Sequence, residues 1–127
     1  NFIRHKIGPL LIQMNPNIIK TISQNSQNIK ELDEFTKNLA RNWLTKNSTK
    51  TKNSTTTLNA KNFRQQPSAL QKIIILELYK NLIGNTTNLQ SKNLEEILRL
   101  INSNIGNKEK KLGKLTISIN KNTISIK

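Results

Sequence analysis

The sequence contains no cysteine, which excludes disulfides and thiolate metal sites. Its one histidine, His5, cannot build a multi-histidine metal cluster or supply half of a Cys–His nucleophile pair. Carboxylates are scarce: seven acidic residues in 127, with Asp33 the only aspartate. Hydrolytic and phosphoryl-transfer centres need several placed carboxylates, so no catalytic residue and no metal ligand set is expected here. The four glycines, at positions 8, 84, 106 and 113, are too dispersed to form a phosphate-cradling loop. No apolar run approaches the roughly 18 residues of a membrane helix. The longest, Ile73–Leu76, stops at Glu77. There is no charged-then-apolar leader pattern, and the chain opens on Asn1 rather than methionine; the expectation is a soluble piece of a longer protein.

Positive charge is what the chain has in excess. Lysine and arginine number 21 against seven carboxylates, a formal net charge of +14. Only four of the basic residues are arginine, and valine is absent, as an AT-rich genome would write. Drift towards lysine is usually matched by glutamate, and here it is not. A field of this sign attracts polyanions, and nucleic acid is the first expectation.

Apolar periodicity divides the chain. Phe2, Ile3, Ile7, Leu10 and Leu11 form a short helical stripe beside Arg4, His5 and Lys6, and Asn15-Pro16 breaks it. From Pro16 to about Lys46, Ile18, Ile22, Ile29, Leu32, Phe35, Leu39 and Trp43 fall on one face of a long helix, predicted to be core. Residues 47–57 are Asn, Ser, Thr and Lys only, and read as a solvated linker. Leu70, Ile73, Ile74, Leu78 and Leu82 predict a central helix ending at Gly84. Ser91 is a candidate cap for a further helix carrying Leu94, Ile97, Leu98, Ile101 and Ile105 up to Gly106. The period then changes to two. With a Lys121-Asn122 turn, Ile119 faces Ile124 and Ile117 faces Ile126, a β-hairpin that must lie on the helices. The expected fold is mainly α: a long linking helix, then a small α+β module of two helices and a C-terminal hairpin. Trp43, Phe63 and Tyr79 read as packing residues rather than base-stacking faces.

Two stretches carry a resemblance. The first is Asn1-Phe2-Ile3-Arg4-His5-Lys6-Ile7-Gly8-Pro9-Leu10-Leu11 followed by Asn15-Pro16-Asn17. It is similar to the Asn-x-Ile-Arg-[His/Asn]-x-[Leu/Ile]-x-Pro-x-Leu … Asn-Pro segment of the tRNA(Ile)-lysidine synthetase family, with Gly8 in place of a bulky apolar residue. The second runs from Pro67-Ser68-Ala69-Leu70-Gln71-Lys72 through Leu94-Glu95-Glu96-Ile97-Leu98 to the hairpin. It resembles that family's appended substrate-binding domain, although arginines common there are mostly lysine here.

The resemblance implies three parts: residues 1–46 as the tail of an ATP-binding catalytic domain with a long linking helix, 47–62 as a polar linker, and 63–127 as a tRNA-binding domain. It implies an ATP-dependent ligase that adenylates the wobble cytidine of an isoleucine tRNA anticodon and lets free lysine displace AMP. ATP and Mg2+ would be bound outside this segment. Asn1, Arg4 and His5 match the family motif and are the expected tRNA-binding residues, since arginine grips phosphate with two parallel bonds. Bracing of the neighbouring catalytic domain by Asn1 and Arg4 is an equal alternative for that motif. The implied setting is the bacterial cytoplasm or the plastid stroma, with tRNA, lysine and ATP as partners, no membrane, and a homodimer left open. Without the resemblance, the residues also fit a stand-alone basic helical RNA-binding or ribosome-associated protein.

Overall fold

The computed structural model describes residues 2–127 and contains five α-helices and a five-stranded antiparallel sheet. The protein is therefore mainly α with a β part. It divides into two compact units, Asn1–Phe35 and Thr36–Lys127, and the long helix contributes residues to both.

In the first unit a π-turn at Ile3–Ile7 leads into helix α1 (Gly8–Met14), with Pro9 in the first turn, where a missing N–H costs nothing. The Asn15 side chain accepts the Asn17 N–H at 3.0 Å and starts helix α2 (Ile18–Asn47). The apolar stripe of α2 is not core along most of its length. Ile29, Leu32 and Phe35 are 66%, 64% and 60% exposed. Periodicity identifies an apolar face but not what covers it. The buried residues of α2 are instead Ala40 and Leu44, in its last turns, with Trp43 half-buried beside them.

Residues 47–62, expected to be linker, are largely ordered into the second unit. Strands β1 (Ser48–Lys50) and β2 (Thr56–Asn59) form a hairpin there, closed by Thr51–Thr55 with Ser54 at φ 60°. Leu58 is buried as an apolar residue of the inner face, and Thr56 with it, because a β-branched threonine packs on a pleated surface much as valine would. The Asn59 side chain caps the short helix α3 (Ala60–Arg64) by accepting the Asn62 N–H at 2.9 Å.

Helix α4 (Ser68–Ile83) is the core helix, with Ile74, Ile75, Leu78 and Tyr79 buried. It ends as expected: Gly84 is left-handed (φ 98°) and its N–H bonds Lys80 O at 2.7 Å. Helix α5 (Ser91–Asn102) buries Leu94, Ile97, Leu98 and Ile101. Two expectations fail at its ends. Ser91 is the first helical residue and makes no capping bond, and the helix stops before Ile105, which is exposed. Asn104, at φ 56°, turns the chain away two residues before Gly106.

The expected hairpin is β4 (Leu115–Ile119) and β5 (Thr123–Ile126), in the anticipated register of Ile119 with Ile124 and Ile117 with Ile126. It is extended by β3 (Lys108–Leu112), which pairs with β4, and by β2, which pairs with β5. The strand order is β1-β2-β5-β4-β3. One face of this sheet carries Leu58, Leu112, Leu115, Ile117, Ile119, Ile124 and Ile126, all buried in one cluster with α3, α4, α5 and the end of α2.

Two polar devices tie the layers. The Arg64 guanidinium donates to Ile101 O (2.7 Å) at the end of α5 and to Lys121 O (2.8 Å) in the β4–β5 turn. The Gln71 side chain, buried, donates to Phe63 O and Gln66 O, both at 3.1 Å, and accepts from Asn102 Nδ2 at 2.8 Å. The glutamine of the Pro-Ser-Ala-Leu-Gln-Lys segment is thus a clasp between helices. No helix among the described residues is long and apolar enough to cross a membrane.

Candidate nucleic-acid interface

The expected tRNA-binding residues fall in the first unit. Asn1 lies outside the described residues. Arg4 and His5 are exposed on the π-turn but serve different grooves. Arg4 borders an apolar groove of about 380 Å³ lined by Pro9, Leu11, Ile12, Ile18, Ile19 and Ile22. His5 borders another, with Lys6, Leu10 and Gln13. The structure does not bring these two side chains into one cavity.

Charge is distributed unevenly between the units. Residues 1–35 hold four lysines and arginines against three carboxylates, a net +1; residues 36–127 hold 17 against four, a net +13. Nearly the whole field that composition revealed therefore belongs to the unit with the sheet. Its carboxylates neutralise little of it. Glu77 is buried and accepts Arg41 Nε at 2.9 Å. Glu96 pairs with Lys110, whose hydrogen bond and charge hold its carboxyl below the usual value. Glu109 accepts a long bond from Ser118 Oγ at 3.4 Å.

The alternation that buries one face of the sheet turns Thr and Ser outward on the other. Register places Thr49, Thr57, Ser125, Ser118 and Glu109 in one row across all five strands. A second row begins Lys111–Thr116 and continues to Lys127, which exchanges both backbone bonds with Thr116 (2.9 and 3.0 Å). None of these side chains is buried. At the β1–β2 end lies a groove of about 320 Å³ lined by Lys46, Asn47, Thr49, Thr57, Asn59, Asn62 and Thr123. Its amides are held in place, with Asn62 Nδ2 donating to Asn47 Oδ1 at 2.8 Å and Asn47 Nδ2 to Trp43 O at 3.0 Å.

The aromatic residues of this unit are turned inward. Phe63 and Tyr79 are buried, and Trp43 packs edge-on against Phe63 with ring centroids 5.8 Å apart. No group of three or more His, Asp or Glu side chains that could hold a metal ion occurs among the described residues. A hydroxyl- and lysine-bearing face can donate to phosphate oxygens and can both donate to and accept from a ribose hydroxyl, and its charge draws polyanions to it. Sequence reasoning missed this face. The signal for it is the Thr-x-Ser alternation of 116–118 and 123–125, the polar half of the period-two pattern whose apolar half predicts the hairpin.

No known family's sequence profile matches the chain, and no curated protein matches it.

Proposed function

We propose that this chain is the tRNA-binding part of a tRNA(Ile)-lysidine synthetase, the ligase that spends ATP to join lysine to the wobble cytidine of an isoleucine tRNA. The observation that carries RNA binding is the concentration of +13 on residues 36–127, on a unit whose sheet leaves one polar face open. What narrows the reading to this ligase is the fixed spacing of Arg4, His5, Pro9 and Asn15-Pro16, followed by Pro67-Ser68-Ala69-Leu70-Gln71-Lys72. ATP, Mg2+ and lysine would be handled by a catalytic domain outside these residues. The apolar groove beside Arg4, in a unit of net charge +1, favours the bracing role for that arginine over a phosphate contact.

The test uses the full coding region around this chain. Labelled lysine should enter an isoleucine tRNA bearing a wobble cytidine only when ATP is present, and the 127-residue chain alone should incorporate none. Absence of incorporation by the full-length protein, or incorporation by the chain alone, would refute the assignment.

A further inference from the structure

We infer that RNA lies across the open face of the sheet and that this face grips the sugar–phosphate backbone rather than the bases. The inference rests on the reading of the chain as an RNA-binding module and adds where the RNA sits and by what chemistry it is held.

The first row, Thr49–Thr57–Ser125–Ser118–Glu109, sets four hydroxyls side by side and ends on a carboxylate already turned to Ser118. Strands about 4.8 Å apart make this row roughly 19 Å long, enough to run beside several successive phosphates. Hydroxyls suit that partner because each both donates and accepts, matching phosphate oxygens and the ribose 2′-hydroxyl alike. In the second row Lys111 and Lys127 flank Thr116, so two exposed ammonium groups stand next to the hydroxyl row.

Base reading needs something this face lacks. Sheets that read single-stranded bases do so by stacking them on exposed aromatic rings, and those contacts carry much of the affinity. Every outward position in the two rows is Thr, Ser, Lys or Glu. The unit's aromatic residues are packed on the other side, in or against the core. The surface therefore favours a partner recognised by backbone position and charge, a helical stem more than a splayed loop. The occupant is RNA because of the charge: +13 on one unit, with two of its four carboxylates committed to Arg41 and Lys110.

The experiment measures binding of the full 127-residue chain to a fluorescent RNA stem-loop, and to the DNA of the same sequence, by anisotropy from 50 to 200 mM salt. Three variants are compared. Lys111→Gln with Lys127→Gln removes the sheet lysines. Thr57→Val, Ser118→Ala and Ser125→Ala together remove hydroxyls at constant charge. Lys72→Gln with Lys92→Gln removes two exposed lysines from α4 and α5. The sheet-lysine pair should weaken RNA binding by about tenfold and flatten the log–log salt slope by about 1.4 to 1.8, the contribution of two phosphates. The hydroxyl variant should weaken RNA more than DNA and leave the slope unchanged. The helix pair should change affinity by less than about threefold. If RNA binds but the helix pair matters as much as the sheet pair, or the hydroxyl variant is silent, the assigned face is wrong while the RNA-binding reading stands. If the wild-type chain binds no RNA at 50 mM salt, that reading falls and takes this inference with it.

Discussion

Arg64 is one of only three arginines in a unit of net charge +13, and on composition alone it would be assigned to RNA. Its geometry assigns it to the fold. The Nε bond to Ile101 O and the Nη1 bond to Lys121 O, at 2.7 and 2.8 Å, tie the end of α5 to the β4–β5 turn. A third approach, Nη2 to Asn120 O at 3.5 Å, is too long to contribute much. Hydrogen bonds to charged groups are each worth about 1.5–3 kcal/mol, and partial exposure of Arg64 argues for the lower end. The guanidinium also sits at a helix C-terminus, which adds about 0.3–1 kcal/mol. Removing a cation from so basic a unit relieves some repulsion, which subtracts from the loss. The net expectation for Arg64→Ala is a destabilisation of about 2–3 kcal/mol, or roughly 10–20 °C in Tm for a unit of this size. Arg64→Lys should recover less than half, because one ammonium cannot reach two carbonyls held by a planar fork. Thermal and urea melts followed by circular dichroism, run in 0.5 M salt to screen the charge change, measure this directly. Below the transition, the Ala variant should bind RNA with little more than the loss of one distant charge. A Tm within about 3 °C of wild type together with a large loss of RNA affinity would refute the structural role.

Two further perturbations probe the core. Gly113 has φ +58°, and a Cβ there would collide with the Tyr79 hydroxyl, whereas Gly84 (φ +98°) has open space around it. Gly113→Ala should therefore cost clearly more than Gly84→Ala, which carries only the left-handed strain of about 1 kcal/mol. Tyr79→Phe should reduce the cost of Gly113→Ala in a double-mutant cycle; additive effects would show that no collision occurs. Gln71→Leu keeps the volume but takes the Gln71 amide from Gln66 O and its acceptor from the Asn102 amide, while Phe63 O keeps the Gln66 N–H at 3.1 Å. A loss of about 1–3 kcal/mol in urea denaturation is expected, and a neutral result would show that the clasp contributes nothing.

Much of the second unit was legible because its apolar residues keep strict time. Ile117, Ile119, Ile124 and Ile126 fixed the register of one strand pair, and the all-round apolar character of Ile73–Leu82 identified the central helix. Strand β3 was illegible for a physical reason. Lys108–Leu112 is an edge strand, and lysines on an edge deter pairing with other chains, so its sequence resembles a loop. The β1–β2 hairpin hid in the same way, because a buried threonine such as Thr56 shows no hydrophobic signal. The exposed stripe from Ile22 to Phe35 was visible as a stripe, but whether a stripe is covered is a tertiary fact. The candidate site was the least readable part. Fixed-spacing residues drew attention to Arg4 and His5, while the charge lay on the other unit and its open face was built from threonine and serine.

The position of β5 bears on how this chain comes to be folded. Of the five strands it comes last in sequence but is the central one in the sheet, lying between β2 and β4. Its partners in β2 are 70 and 66 residues earlier: Thr56 with Ile126 and Leu58 with Ile124. A ribosome making this segment will have delivered β1 with β2, and β3 with β4, before the strand that joins them is available. Until then each hairpin offers an open edge and part of the apolar face, Leu58 on one and Leu112, Leu115, Ile117 and Ile119 on the other, the condition in which unfinished chains stick to one another. Closing so long a loop also places the sheet among the slower topologies to form. Residues 123–126 act as the keystone, and the β part cannot be assembled by halves.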